Sequence, residues 1–311
     1  MTIPKDAKIY IAGHTGLVGS ALYRKYQKLR YKNILVKSHS ELDLTDQRQV
    51  ETFIDREKPE YIVIAAAKVG GIRANINKPA EFLYDNLMIQ NNIIWSALHH
   101  NVKKLLYISC GCAYPTRSNQ PIKEEYLLTG LPEPTNEGFA LAKIAGIKLC
   151  EKIFSEYGKN FIACIPTNTY GVGDHFDNER SHVIPALIKR FHRAKIDKLP
   201  AVTLWGTGRA RREFIYVNDL ADAIFLLMGS YDKNELINIG SGEDISIKDL
   251  ALLIKDVVGY KGEILFDSTK PDGMLKRILD SSKIQRLGFV PETNFRRGLE
   301  KTYFHFLKHV L

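Results

Sequence analysis

Gly13, Gly16 and Gly19 recur at every third position directly after the apolar run Lys8-Ile9-Tyr10-Ile11-Ala12. Glycine lets a backbone turn tightly and lie close to a pyrophosphate. A helix that starts at such a loop adds free N–H groups and the positive end of its dipole. With a strand before it and a helix after it, the spacing reads as a dinucleotide-binding loop rather than a mere turn. The second chemical signal lies after the apolar run Ile34-Leu35-Val36. An NAD site usually places a carboxylate there for the ribose 2′-hydroxyl. This chain places Lys37, Ser38 and His39, with no acid until Glu41. Lys37 and His39 suit a 2′-phosphate, so NADP(H) is favoured over NAD(H). The four cysteines are Cys110, Cys112, Cys150 and Cys164, with no Cys-x-x-Cys pair. Cys110 and Cys112 are two residues apart, a spacing that reads as too cramped for an easy disulfide. They have no metal-ligand companions, so no metal site is expected and a reducing compartment is.

These residues need elements to hold them. Strands are predicted at 8–12, 34–36, 61–67, 104–109 and 161–166, and helices at 20–29, 50–56, 79–100 and 136–157. The 61–67 run is continuously apolar, as a strand buried on both faces should be. Strands alternating with helices predict an α/β fold: a Rossmann-type, doubly wound parallel sheet with a smaller C-terminal α/β substrate lobe. Residues 1–170 are expected to form the NADP-binding domain, joined by a return segment near 213–240. Residues 171–212 and 241–311 are expected to form the lobe.

Composition removes several function classes. The chain has 311 residues, 45% hydrophobic and 25% charged, which excludes a disordered or fibrous protein. It has no 18-residue apolar run and no apolar signal segment, so neither a membrane span nor export is expected, and a cytoplasmic location is. Lys and Arg outnumber Asp and Glu by 44 to 35, a net charge of +9 that suits an anionic ligand. The basic residues are scattered and show no basic face interleaved with stacking aromatics, so no nucleic-acid partner is expected.

Beyond the glycine loop, a series of segments carries a resemblance. They are Ala66-Ala67-Lys68-Val69-Gly70-Gly71-Ile72, Cys112-Ala113-Tyr114-Pro115, Glu133-Pro134-Thr135-Asn136-Glu137, Lys143-Ile144-Ala145-Gly146-Ile147-Lys148, Ser181-His182-Val183-Ile184-Pro185-Ala186-Leu187, Arg212-Glu213-Phe214 and Lys270-Pro271-Asp272-Gly273. In this order they resemble an extended short-chain dehydrogenase/reductase and, more narrowly, the GDP-L-fucose synthase family of GDP-4-keto-6-deoxy-mannose epimerase-reductases. The resemblance implies NADPH, a GDP-linked 4-keto sugar as partner, and a homodimer that packs the helices near 80–100 and 136–157 against their mates. It implies cofactor contacts at Gly13, Thr15, Gly16, Leu17, Val18, Gly19, Lys37, His39, Asp43, Leu44, Ala66, Ala67, Lys143, Pro166 and His182. Substrate contacts are implied at Asn168, Arg190, Trp205, Arg212, Lys270 and Asp272. Arginine suits a sugar diphosphate because its planar fork pairs two oxygens at once.

The implied chemistry has two parts. Epimerisation beside a ketone removes a proton from one face of a carbon and returns one on the other. The family's Cys and His for this fall on Cys112 and His182. Ketone reduction needs a hydride and then a proton on the new alkoxide, which the family takes from Tyr in Tyr-x-x-x-Lys. Here that motif reads Phe139-Ala140-Leu141-Ala142-Lys143. Lys143 is present, but Phe139 has no hydroxyl to donate. The family's Ser/Thr falls on Cys110, and a thiol is a weak donor. Two basic cofactor contacts of the family fall on Thr15 and His39. Three accounts of Phe139 stand at this point: a substitution made to trap a complex; a reductase using water, Cys110 or Tyr114 as donor; or a GDP-sugar-binding protein without catalysis. The sugar is a hexose or a heptose, and the reaction includes epimerisation or stops at reduction at C4. The product would feed a surface polysaccharide.

Overall fold

The computed structural model describes residues 3–177, 181–270, 272 and 274–310. Pro271 and Gly273, part of the segments that carry the resemblance, lie outside the described residues, as does the side chain of Ile72. The chain begins with β1 (Lys8–Ala12), α1 (Leu17–Lys28), β2 (Asn33–Leu35), α2 (Gln47–Glu57), β3 (Tyr61–Ile64), α3 (Ile72–Asn77), α4 (Pro79–His99) and β4 (Lys104–Ile108). It continues through α5 (Glu137–Tyr157), β5 (Asn160–Pro166), β6 (Asn168–Tyr170), α6 (Val183–Ile196), β7 (Ala201–Trp205), β8 (Arg211–Tyr216) and α7 (Val217–Ser230). The last part is β9 (Ile237–Ile239), β10 (Asp244–Ser246), α8 (Ile247–Val258), β11 (Glu263–Asp267), β12 (Lys276–Arg277), α9 (Ser282–Arg286) and α10 (Phe295–His309).

Six strands form one sheet in the order β2-β1-β3-β4-β5-β9, every pair parallel. Side chains alternate across a strand, so each strand feeds two apolar layers. Ile9, Ile11, Val63 and Leu106 pack on the side of α1 and α7, with Leu22, Leu220 and Ile224. Tyr10, Ile62, Ile64, Leu105 and Tyr107 pack on the side of α2, α4 and α5, with Ile54, Ile93 and Ile147. Burial on both faces explains the apolar strand sequences. It also makes the fold the predicted doubly wound Rossmann-type sheet. β1 pairs with β2 on one side and β3 on the other, so the strand order reverses there. Open α/β sheets bind ligands in the crevice at that switch point.

The rest of the chain forms a smaller α/β layer. β10, β8 and β12 form a second sheet, which β6 joins through β8, and β7 pairs with β11. Their core includes Leu187, Ile188 and Phe191 of α6, Leu250 and Ile254 of α8, and Phe306 of α10. Several boundaries differ from the sequence reading. α1 begins at Leu17, because Gly16 is extended and its carbonyl accepts from Ser20 N. β3 stops at Ile64, although Ala65 N still donates to Ala12 O at 3.0 Å. β6 and residues 214–216 of β8 pair with each other in the second sheet, whereas α7 and β9 return to the first. Ile284 and Phe289 also pack back onto the first core.

Candidate functional site

The glycines after β1 do different work. A Cβ on Gly13, which has φ +85°, would lie 2.6 Å from Ala66 N, and one on Gly19 would lie 2.1 Å from Gly13 O. Packing inside the loop therefore requires both, and it brings Ala66 at the end of β3 against the end of β1. Gly16 is different: its nearest contact would be an ordinary 3.5 Å. The fold does not need a glycine there, whereas close approach of a pyrophosphate does. Gly16 also starts α1 without any side-chain cap, and His14 Nδ1 is buried in the loop without a partner. Thr15 is exposed, Leu17 and Val18 are half-buried. These features fit a dinucleotide phosphate.

Past β2, Glu41 folds back onto the basic residues. A turn closes through Glu41 N and Ser38 O, and the Glu41 carboxylate accepts from Ser38 N, Ser38 Oγ and Lys37 Nζ. Those bonds, the Ser38 hydroxyl first, pull its pKa down to about 2. Lys37 is paired at 3.1 Å, and His39 is exposed beside it. Asp43 turns its carboxylate onto Thr45 N and Oγ1, and Leu44 O is held by Asn92 Nδ2.

Lys143 lies on α5 beneath the end of β4. Its Nζ donates to Ile108 O at 3.0 Å and lies 4.8 Å from the Tyr107 ring centroid and 5.6 Å from that of Phe139. A buried ammonium loses hydration, and that burial lowers its pKa to about 8. The frame is locked underneath. Tyr107 Oη donates to Gln90 Oε1 at 2.5 Å, and Gln90 Nε2 to Ala142 O at 2.7 Å. Gly146 is required here, since a Cβ would lie 2.6 Å from the Tyr107 ring. The i, i+4 spacing brings Phe139 and Lys143 onto one face, where Phe139 packs edge-on against Phe82.

The cysteines depart from the expectation drawn from their spacing. Cys110 and Cys112 form a disulfide, with Cα atoms 5.3 Å apart, inside the ordinary span. Cys110 is extended and Gly111–Ala113 then coil into one turn of 3-10 helix, which brings the two residues together. That turn faces both sulfurs to the same side. Cys150 and Cys164 are free and buried. Ser109 points its hydroxyl at Lys143 O, 3.4 Å away, and Tyr114 Oη donates to Asn238 Oδ1 at 2.7 Å. Tyr114 is fully buried, and burial raises its pKa, so it is a poor proton donor.

A cleft of about 320 Å³ takes five of the expected residues together: Asn168, His182, Trp205, Arg212 and Asp272. Arg190 and Lys270 are exposed and are not among its lining residues. Asp272 accepts from Thr207 N and Thr207 Oγ1, both at 2.6 Å, and so braces the loop while lining the cleft. Asn168 Nδ2 donates to Glu213 O at 2.9 Å. His182 is the N-cap residue of α6. Its edge is open, but the protein packed around the ring lowers its pKa, and nearby His175 adds to the effect. Upstream of it, Gly173 lies against the first turn of α1, since a Cβ there would lie 3.0 Å from Ser20 Oγ. Pro166 ends β5 and is paired to Ile239.

Two residues escaped the sequence reading. Arg277 stands in register with Arg212 on the adjacent strand, and its buried Nε and Nη2 have no hydrogen-bond partner among the described residues. Burial lowers its pKa, and Arg212 lowers it further. Burial also lowers the pKa of Arg212. Two crowded, desolvated cations call for an anion. Asp174 is the other: its Oδ2 is buried without a hydrogen-bond partner among the described residues, and burial raises its pKa to about 7. Glu213, by contrast, is fully buried and structural, accepting from Gly242 N and Leu279 N.

Comparison with known proteins agrees with this geometry. The NAD dependent epimerase/dehydratase family model matches residues 9–240. GDP-L-fucose synthase 1 of Arabidopsis thaliana is 51% identical over 98% of this chain and 95% of its own. GDP-L-fucose synthase of Escherichia coli is 43% identical, covering 97% of each chain. A solved GDP-mannoheptose C4 reductase from Campylobacter jejuni with NADP bound is 39% identical, with a TM-score of 0.91, covering 98% of this chain and 100% of its own. The chain belongs to the NAD dependent epimerase/dehydratase family of extended short-chain dehydrogenase/reductases, among the relatives of GDP-L-fucose synthase. Among the described residues no helix is long and apolar enough to cross a membrane.

Proposed function

We propose that this chain is an NADP(H)-dependent enzyme that reduces C4 of a GDP-linked 4-keto sugar. The observation that carries the reading is Arg277, in strand register with the cleft residue Arg212, with buried Nε and Nη2 that have no hydrogen-bond partner among the described residues. Glu133 offsets only part of the crowded positive charge, and a sugar diphosphate would supply the missing partner. The glycine cradle would hold the cofactor, with residues 1–170 and the return through β9 as its domain. Residues 171–212 and 241–311 would hold the sugar nucleotide. When bound, NADPH supplies the hydride. Lys143, fixed to Ile108 O, would hold the nicotinamide ribose and any water beside the substrate oxygen. Phe139 supplies no proton, so the alkoxide takes one through water, and turnover is low. In the reduced form of the cysteine pair, Cys112 and His182 would move protons at the carbons flanking the ketone.

A second reading, reduction at C4 without epimerisation, has one observation in its favour: the disulfide occupies the Cys112 sulfur. The exposed Tyr84, Trp95 and Leu141 on α4 and α5 support a homodimer through those helices. The test of function is NADPH oxidation with GDP-4-keto-6-deoxy-mannose and a GDP-4-keto-heptose, with deuterium uptake followed by NMR. Slow oxidation of NADPH by one of them is expected, faster in Phe139→Tyr. If neither sugar is reduced by either protein, the assignment fails. Uptake of deuterium at C3 and C5 decides between the two readings.

A further inference from the structure

We propose that Cys110 and Cys112 form a reversible disulfide latch on the proton-transfer site, opened by a dithiol reductant. The proposal rests on the reading of Cys112 as a proton-transfer residue. In the bonded state Cys112 has no thiol proton to give and no thiolate to take one, and Cys110 has no S–H to offer a substrate oxygen.

The geometry suits closing and opening rather than permanent bracing. The segment is pinned on both sides of the pair. Before it, Ser109 N donates to Cys164 O at 2.9 Å and Ile108 O holds Lys143. After it, Tyr114 Oη is bonded to Asn238. Within it, Ala113 N donates to Cys110 O at 3.1 Å and Tyr114 N to Gly111 O at 3.2 Å. Backbone bonds, not the sulfurs, shape the turn, so it stays formed when the disulfide opens and keeps the sulfurs close. Access is one-sided. Cys112 is 8% exposed, whereas Cys110 is half-buried and Gly111 faces open space, with nothing within 4 Å of a Cβ there. An incoming thiolate therefore reaches Cys110 first.

The chemistry balances. A thiolate of the dithiol attacks Cys110 Sγ, the Cys110–Cys112 bond breaks, and Cys112 leaves as a thiolate. The second thiol of the reductant then displaces Cys110 as the other thiolate. The dithiol ends as its own disulfide, having given two electrons, and its two protons go to the two cysteines. A small disulfide oxidant reverses the sequence. Cys150 and Cys164 stay out of it: both are fully buried, and burial raises both thiol pKa values, that of Cys164 to about 12.

The full chain with NADP(H) is treated with dithiothreitol or with its oxidised form. Native-state alkylation and intact mass count the free thiols, and deuterium uptake into GDP-4-keto-6-deoxy-mannose is followed by NMR. Two extra alkylations on reduction are expected, with an exchange rate about 100-fold above the oxidised sample, the scale of one acid–base residue. Cys110→Ser should lose the response to oxidant, measured against its own untreated rate. Thiols that do not change between the treatments overturn the latch while leaving the proposed function standing. A disulfide that opens and closes with the same exchange rate overturns it too. If the pair responds but neither state exchanges deuterium, the proton-transfer reading of Cys112 falls, and the latch with it.

Discussion

One helical turn apart on α5, Lys143 holds its ammonium 5.6 Å from the centroid of the Phe139 ring while donating to Ile108 O. On the proposed reading a hydroxyl on this ring would reach the reacting oxygen, and Lys143 is the cation that would lower its pKa. Phe139→Tyr is therefore expected to raise the rate of NADPH oxidation by about 10²–10⁴, the usual contribution of a general acid. Deuterium exchange at C3 and C5 should stay within twofold, roughly, because a different pair of residues would carry it. Steady-state kinetics at saturating cofactor decides the matter, and an unchanged kcat would remove Phe139 from the account.

Arg277 and Arg212 make a prediction with two opposite signs. The free protein keeps Arg277 buried beside another cation, its Nε and Nη2 without a hydrogen-bond partner among the described residues, which is destabilising. The bound protein would place a diphosphate against them. Arg277→Met should raise the thermal midpoint of the free protein. It should also weaken GDP binding about 10- to 100-fold, from the loss of one charge-assisted contact of about 1.5–3 kcal/mol. Calorimetric titration with GDP and a melting curve read the two effects separately. Equal GDP affinity in both proteins would show that the diphosphate lies elsewhere.

At the cofactor's other end, Glu41 competes with a phosphate for Lys37. Its carboxylate holds Lys37 at 3.1 Å and caps Ser38. Glu41→Gln keeps the cap's shape but releases the cation. The ratio of NADPH to NADH affinity should rise by about 1.4-fold to fivefold, the scale of an exposed pair. Fluorescence titration with each nucleotide measures it, and a falling ratio would mean that Glu41 instead holds a ribose hydroxyl.

The sheet was legible because its signals are local: apolar runs, glycines between strand and helix, and two long helices. Their ends were less so, since Gly16 and Ile64 stop or start elements through backbone bonds. The site was partly legible. Lys143, Asn168, His182 and Arg212 carry motifs, and the cleft collects three of them with Trp205. Arg277 carries none. Its meaning comes from strand register with Arg212 across a long gap in sequence. The bonds of Glu41 and of the cysteine pair were not legible for one reason: linear spacing says nothing of the turn that folds Glu41 back to Ser38, or of the one that faces Cys110 to Cys112. Asp272 went the other way, a motif residue engaged in bracing Thr207.

Asp174 gives a prediction for stability against pH. Its Oδ1 accepts from His175 N at 2.8 Å, while Oδ2 is buried without a hydrogen-bond partner among the described residues. Burial raises the folded pKa from 3.8 to about 7. A carboxyl with a raised pKa binds its proton more tightly when folded, so the folded state holds more protons between pH 4 and 7. Its stabilising share is complete below the unfolded pKa and is lost as pH rises through about 7. Asp174→Asn keeps an acceptor for His175 N and removes the titration. Every other group is common to both proteins and cancels in the difference. From pH 4 to 8 the variant should gain stability relative to the parent, by up to about 4 kcal/mol, with most of the change between pH 5 and 7. Urea unfolding at a series of pH values measures this through the midpoint, since the slope should not change. Curves that run parallel across the whole range would mean that water reaches Oδ2 and that the carboxylate is solvated in the folded protein.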